Sequence, residues 1–217
     1  MKTYFLITLS LVTSSISFAK VDPSRSLASI KQNVRVDHAR ELLGSHYKKS
    51  IVSTFEKSKG LEKNILSTVT KRLPTKYKSQ AKAVTEAIIK EASSQGLDPY
   101  FVMAVISGES SFNPLAIGPV GEIGMMQIRP ATGEWMAKKI KFNWKGEKSL
   151  RDPVANIKLG TAYLAWLREK FSNQSQLYLA AYNMGPKSVK KAVAKSIWPK
   201  DYPIHVMKRY LAFYKSI

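Results

Sequence analysis

One carboxylate in this chain, Glu109, stands three residues past the end of an apolar run over residues 101–106, within the block Gly108-Glu109-Ser110-Ser111-Phe112-Asn113-Pro114. Asp98-Pro99 ahead of the run reads as a helix start, with an aspartate cap and a proline in the first turn. That start predicts a helix over 99–108 and puts Glu109 at its C-terminal end. The negative end of the helix dipole and the apolar wall both disfavour an anion there, so the pKa of Glu109 should rise. A glutamic acid that stays protonated near neutral pH can give a proton to the leaving oxygen of a glycosidic bond. A lone glutamate at a helix end is more often a solvated charge, so the surrounding residues decide.

Those surroundings contain two further blocks. Gly121-Glu122-Ile123-Gly124-Met125-Met126-Gln127-Ile128 runs on to Pro130 and Thr132, and Ala180-Ala181-Tyr182-Asn183-Met184-Gly185-Pro186 follows much later. Together with Glu109-Ser110 and Phe112-Asn113-Pro114, they resemble the soluble-transglycosylase (SLT) type of lytic transglycosylase over about residues 81–190. Three separated blocks in order make a specific pattern. The resemblance implies an all-α fold similar to goose-type lysozyme, and cleavage of peptidoglycan between N-acetylmuramic acid and N-acetylglucosamine. It also implies one glutamate acting as acid and then as base. Glu109 would protonate the glycosidic oxygen, and the muramoyl N-acetyl group would assist at C1. The Glu109 carboxylate would then take the C6 hydroxyl proton, giving a 1,6-anhydro-muramoyl end.

The same resemblance assigns Gln127 to substrate contact, with an amide that can both donate and accept. It places Tyr182 opposite the acid, where the hydroxyl could orient the carboxyl. Ser110 and Asn183 complete the expected substrate-binding set, although each also suits a role in holding a turn or loop. Gly121 and Gly124 are expected to bring the loop backbone close to the saccharide. Met125 and Met126 read as core or cleft wall.

The chain departs from the family pattern in several places. Gly118 stands where many relatives have serine, Arg129 where methionine is frequent, and Glu122 where a small residue is frequent. Glu122 is a candidate second acid or a solvated loop carboxylate. Val206 stands where a tyrosine is often found, so no function is assigned to it. Two alternative readings stand beside the transglycosylase: a hydrolytic muramidase, which would need a base to fix water, and a non-catalytic basic wall-binding protein.

Lys and Arg number 35 against 15 Asp and Glu, a formal net charge of +20. Such an excess calls for a polyanionic partner. The sequence has no zinc-finger spacing, P-loop or RNA-binding aromatic motif, so peptidoglycan strands are expected and nucleic acid is not. There is no cysteine, and His38, His46 and His205 have no metal-ligand spacing, so no metal or other cofactor is expected.

Residues 1–19 read as a signal peptide, with an apolar stretch over 4–12 and Ser17-Phe18-Ala19 at the cleavage site. The expectation is an exported monomer, periplasmic or wall-associated, with no membrane span once the signal is removed. Residues 20–80 hold 14 Lys and Arg against five Asp and Glu. They read as a basic helical N-terminal extension, with amphipathic stretches near 36–55 and 61–73. The catalytic domain is set at 81–217, all helix and loop. Helices are expected near 83–92, 130–140, 153–171, 175–183, 186–195 and 204–215, with at most a small ribbon over 115–125.

Overall fold

The structure, a computed structural model, describes residues 27–217; the expected signal peptide lies outside them. Among the described residues no β-strand forms. The ribbon expectation reduces to isolated bridges, Ile117 with Ile123 and Ile123 with Ile128. The main helices are α1 (Gln32–Leu43), α2 (Ile51–Thr54), α3 (Leu61–Arg72), α4 (Ala81–Ser94), α5 (Pro99–Glu109), α6 (Pro130–Lys139), α7 (Glu147–Arg151), α8 (Pro153–Lys170), α9 (Ser175–Met184), α10 (Pro186–Ala194) and α11 (Asp201–Lys215).

The central element is α5. Every residue from Pro99 to Ile106 is buried, as expected of a helix that is apolar all round. It lies between α11 and α4, while α8 packs on α4, α9 and α6. The start of α5 follows the sequence signal: the Asp98 side chain accepts the Tyr100 N–H at 2.8 Å, with Pro99 in the first turn. Asp152 caps α8 in the same way through the Ala155 N–H at 2.7 Å, and Pro153 follows it. Gly185 ends α9 with φ 84°, a left-handed conformation that costs glycine little.

Residues 32–73 have no core of their own. Val36, Ala39, Val52, Ile65 and Val69 join one apolar cluster with α4, α5 and α11. Arg35, completely buried, donates to the Tyr214 hydroxyl at 2.9 Å and to the carbonyls of Phe55 and Glu56. His38 accepts the Asp98 backbone N–H on Nδ1 at 3.0 Å, so its proton sits on Nε2, facing the Tyr178 hydroxyl at 3.3 Å. Burial, aided by the Arg168 charge, pushes the His38 pKa well down and keeps the ring neutral. Glu41 receives both Nε and Nη2 of Arg168 from α8. The boundary drawn at residue 80 therefore cuts through a shared core. The long amphipathic stretch near 36–55 is also interrupted: α1 stops at Gly44 (φ 51°), and a 3₁₀ turn, Gly44–Lys49, precedes α2.

Candidate active site

Glu109 is the last residue of α5. Beyond it the chain makes an abrupt turn, with Ser111 at φ 52° and Phe112 at φ 67°. Non-glycine residues pay roughly 1–2 kcal/mol each for this left-handed geometry. The fully buried Phe112 side chain anchors the turn and offsets that cost. A third such residue, Gln127 (φ 48°), lies across the same segment. Three of the seven non-glycine residues with positive φ among the described residues thus lie in the segment that follows Glu109.

The loop over 115–128 is held from below by a residue not singled out from the sequence. Asn156 of α8 is fully buried and accepts the Met126 N–H at 2.7 Å. Its amide donates to the carbonyls of Ile123 (2.8 Å) and Leu150 (2.9 Å). A Cβ on Gly124 would lie 2.4 Å from both Asn156 Nδ2 and the Leu150 carbonyl oxygen. Gly124 therefore allows close approach to this amide clamp. Gly121, at φ 85°, faces open space. The signal for Asn156 was a polar residue on the apolar stripe of a helix, which must find partners when buried.

Glu109 opens into a cleft of about 600 Å³ whose walls include Glu122, Gln127, Arg129, Tyr163, Tyr182 and Asn183. Ser110 is not in this lining. Its hydroxyl donates to the Met125 carbonyl at 2.8 Å and so ties the helix end to the loop. Gln127 also spends its amide N–H groups on the loop, donating to Ala116 (3.1 Å) and Gly124 (2.9 Å). Its Oε1 has no protein donor among the described residues and is available to a ligand hydroxyl. Asn183 is exposed on the rim, and its side chain makes no hydrogen bond to the described protein. Met125 and Met126 are fully buried beneath the cleft.

The tyrosine opposite the acid is not the one expected. Tyr182 borders the cleft, but its hydroxyl donates to the Met126 carbonyl at 2.7 Å. The direct partner of Glu109 is Tyr202, whose hydroxyl donates to Oε1. Tyr202 lies one turn before Val206 on α11, on the same helix face. Helix α11 starts at Asp201, with Pro203 in its first turn, earlier than the expected start at 204. Once the helix is extended to Asp201, the tyrosine missing at Val206 appears four residues upstream.

Burial is the largest influence on Glu109 and raises its pKa, with a smaller push from the Glu122 charge. The Tyr202 hydrogen bond and the Arg209 charge act in the other direction. The balance sets it at about 6. Burial and the neighbouring Glu109 also push the hydroxyls of Tyr182 and Tyr202 well above the ordinary tyrosine value, so both stay protonated.

Glu122 occupies the space that Gly118 leaves. A Cβ at Gly118 would sit 2.4 Å from Glu122 Oε2 and 2.7 Å from Gln127 Oε1. The expected family serine is thus replaced by a carboxylate reaching in from four residues away. Arg129 donates to Glu122 Oε1 at 3.0 Å, and the Val120 N–H donates to Oε2 at 3.2 Å. Burial alone would raise the Glu122 pKa, but hydrogen bonds from its own backbone, Arg129 and Val120 hold it below the usual glutamate value. Glu122 is therefore an anion near neutral pH, which does not suit the second acid considered from the sequence.

The transglycosylase SLT domain model matches residues 86–204, more than half of the chain. A putative soluble lytic murein transglycosylase of Haemophilus influenzae is 33% identical over 125 residues, covering 58% of this chain and 20% of that protein. The soluble lytic murein transglycosylase of Escherichia coli K12 is 32% identical over 126 residues, covering 58% of this chain and 18% of its own length. The chain thus spans about a fifth of these relatives. In fold it is similar to the crystal structure of the 70 kDa soluble lytic transglycosylase of Escherichia coli. The TM-score is 0.55 at 22% identity, with 88% of this chain and 38% of that chain covered. Such coverage exceeds what residues 86–217 could supply, so the shared fold includes elements upstream of the domain match. The ordered blocks, the helical architecture and the domain match agree: the chain belongs to the transglycosylase SLT family.

Proposed function

We propose that this protein is a peptidoglycan lytic transglycosylase with Glu109 as its acid and then its base. The observation that carries the reading is the state of Glu109: half-buried at the end of α5, opening into the cleft, with its pKa raised to about 6. Near that pH both forms of the carboxyl are populated, as a proton-cycling group requires. The acid form protonates the glycosidic oxygen between N-acetylmuramic acid and N-acetylglucosamine. The acetamido oxygen of the muramoyl residue closes on C1 as the bond breaks. The resulting Glu109 carboxylate, steadied by the Tyr202 hydroxyl, takes the proton of the C6 hydroxyl as O6 attacks C1 and the C1 bond to the acetamido oxygen breaks. The proton returns to Glu109, and the product carries a 1,6-anhydro ring.

Tyr202 orients the carboxyl and favours its anionic form, while burial and Glu122 favour the acid. Gln127 Oε1 and the Asn183 side chain offer polar contacts to sugar hydroxyl and acetamido groups. The substrate lies outside the cytoplasm, so the reading requires export. Among the described residues, no helix is long and apolar enough to cross a membrane.

Glu109→Gln tests the assignment. It keeps the shape of the side chain but cannot cycle a proton, so release of muropeptides from purified sacculi should fall at least about a thousandfold. Mass spectra of the wild-type products should show anhydro ends. Reducing ends would replace the transglycosylase with a hydrolase, and substantial release by Glu109→Gln would remove Glu109 from the chemistry.

A further inference from the structure

Beside the catalytic cleft the surface carries an aromatic corner with no assigned role. Tyr163 and Trp166 of α8 lie with their ring planes 15° apart and centroids 5.9 Å apart. Trp135 of α6 stands almost perpendicular to both, at 77° to Trp166 and 87° to Tyr163. The corner lines a hollow of about 320 Å³ that shares Thr132, Tyr163 and Pro186 with the cleft holding Glu109. The ring series also continues inward, because Tyr163 packs on Tyr182 at 5.6 Å.

Two features separate this corner from ordinary core packing. Trp135 is 41% exposed, although α6 has a buried face of Gly133, Met136 and Ala137 that could have held it. Thr132 and Trp135 are three residues apart and so share the face turned to the hollow. Trp166, by contrast, has Lys170 over its ring at 4.8 Å. The surface left for a ligand is therefore mainly Trp135 and Tyr163, with a threonine hydroxyl at the edge.

The chemistry of this surface fits a pyranose ring. A β-linked N-acetylhexosamine has axial C–H groups on its faces and hydroxyl and acetamido groups around its rim. The weakly positive C–H face complements the negative face of an aromatic ring, and the rim groups can reach Thr132 and solvent. Continuity with the cleft selects the occupant: a strand running past Glu109 and Tyr182 reaches the corner without leaving the groove.

We infer that Trp135 and Tyr163, backed by Trp166, form an extra saccharide subsite that extends the catalytic cleft and gives the protein a preference for long glycan strands. This rests on the glycan-cleaving reading of the cleft. A strand seated there is held away from the scissile bond, so the subsite contributes to affinity and to the register of the strand. It adds no group to the proton transfers.

The test uses the full chain carrying Glu109→Gln, titrated with the trimer and the hexamer of β-1,4-linked N-acetylglucosamine. The hexamer should bind about tenfold more tightly than the trimer, the size expected of one aromatic-stacked ring. Adding Trp135→Ala should bring that ratio close to one, and Trp135→Tyr should keep most of it. Thermal melts of both variants establish that the fold is intact. A hexamer-to-trimer ratio unchanged by Trp135→Ala, with binding retained and the wild type still cleaving sacculi, overturns the subsite alone. Absence of binding by either oligomer, together with absence of cleavage, removes the cleft reading and the subsite with it. If Trp135→Ala instead abolishes a concentration-dependent dimer seen without oligosaccharide, the corner is a self-association surface and the inference falls.

Discussion

Helix α5 carries a carboxylate at each end, and the two ends have been put to opposite uses. Asp98 at the N-terminus and Glu109 at the C-terminus are both raised to about 6, and burial is the first cause in each. Their surroundings differ. Asp98 is completely buried and accepts from the Tyr100 N–H, the Tyr210 hydroxyl (2.7 Å) and the Tyr214 hydroxyl (2.8 Å), while Arg35 donates to Tyr214. Glu109 accepts from one side-chain donor, Tyr202, and opens into the cleft. A perturbed pKa by itself does not separate a structural carboxylate from a catalytic one. Spare hydrogen-bonding capacity and access to a ligand make the distinction.

A carboxyl whose folded pKa lies above its unfolded value binds protons more tightly when folded, so its contribution to stability is present at low pH and is lost as pH rises. For Glu109 the window runs from the ordinary glutamate value of 4.5 up through about 6. The inactive Glu109→Gln protein should accordingly gain melting temperature relative to the wild type above that window, and gain little below it. A variant that loses stability at pH 8 would mean that Glu109 also has a packing role.

The largest expected effect on stability is at the other end of the helix. Asp98→Ala removes the cap of α5, leaves two buried tyrosine hydroxyls without their acceptor and takes away the carboxylate charge near the buried Arg35. The expected destabilisation is about 3–5 kcal/mol. For a protein of this size that is a fall in melting temperature of roughly 10 °C. Because α1 and α11 both meet at Asp98, their amide protons should lose protection from hydrogen exchange together. A loss confined to α5 would mean that the cluster does not tie residues 32–43 to the catalytic helix.

Tyr202→Phe addresses the active end and should have a smaller effect. Only a hydroxyl is removed, and its charge-assisted bond to Glu109 is of the order of 1.5–3 kcal/mol. Turnover should fall roughly ten- to a hundredfold, with a melting temperature close to that of the wild type. Tyr182→Phe is the useful contrast: its hydroxyl holds the Met126 carbonyl, so its loss should appear in stability and loop order before it appears in the proton transfer. If Tyr182→Phe is the more damaging to turnover, the roles of the two tyrosines are reversed.

The sequence reveals local signals well. Asp98-Pro99 and Asp152-Pro153 start helices and Gly185 stops one, because capping and φ restriction act within a few residues. The position of Glu109 at the end of an apolar helix follows from the same signals. What stays hidden is pairing across long stretches of chain. His38 meets Asp98 over 60 residues, Tyr214 meets it over 116, and the amphipathic stretches within residues 32–73 announce a buried face without saying that it completes the core around α5. The resemblance over 81–190 invites a boundary at 80, although the buried Arg35 and His38 lie before it. Tyr202 is hidden by a helix start set three residues late, and Asn156 by its place among apolar neighbours.

The smallest effect expected concerns Glu122, the residue in the space left by Gly118. If Glu109 must be protonated for the first step, activity falls as pH rises through its pKa near 6. The groups acting on that pKa besides burial are Glu122, Tyr202 and Arg209. Glu122→Gln removes the one negative charge among them and leaves Arg129 without its carboxylate partner, and both changes favour the Glu109 anion. The descending limb of the pH profile should therefore move to lower pH by roughly half a unit to one unit, the effect of one charge across a solvent-lined cleft. High salt should shrink the difference, because the pair is open to solvent. The maximal rate at low pH should change little, since Glu122 has no proton to give. A large loss of rate at every pH would instead make Glu122 a direct participant, and the contrast between one proton-cycling carboxylate and one fixed anion in the cleft would fail.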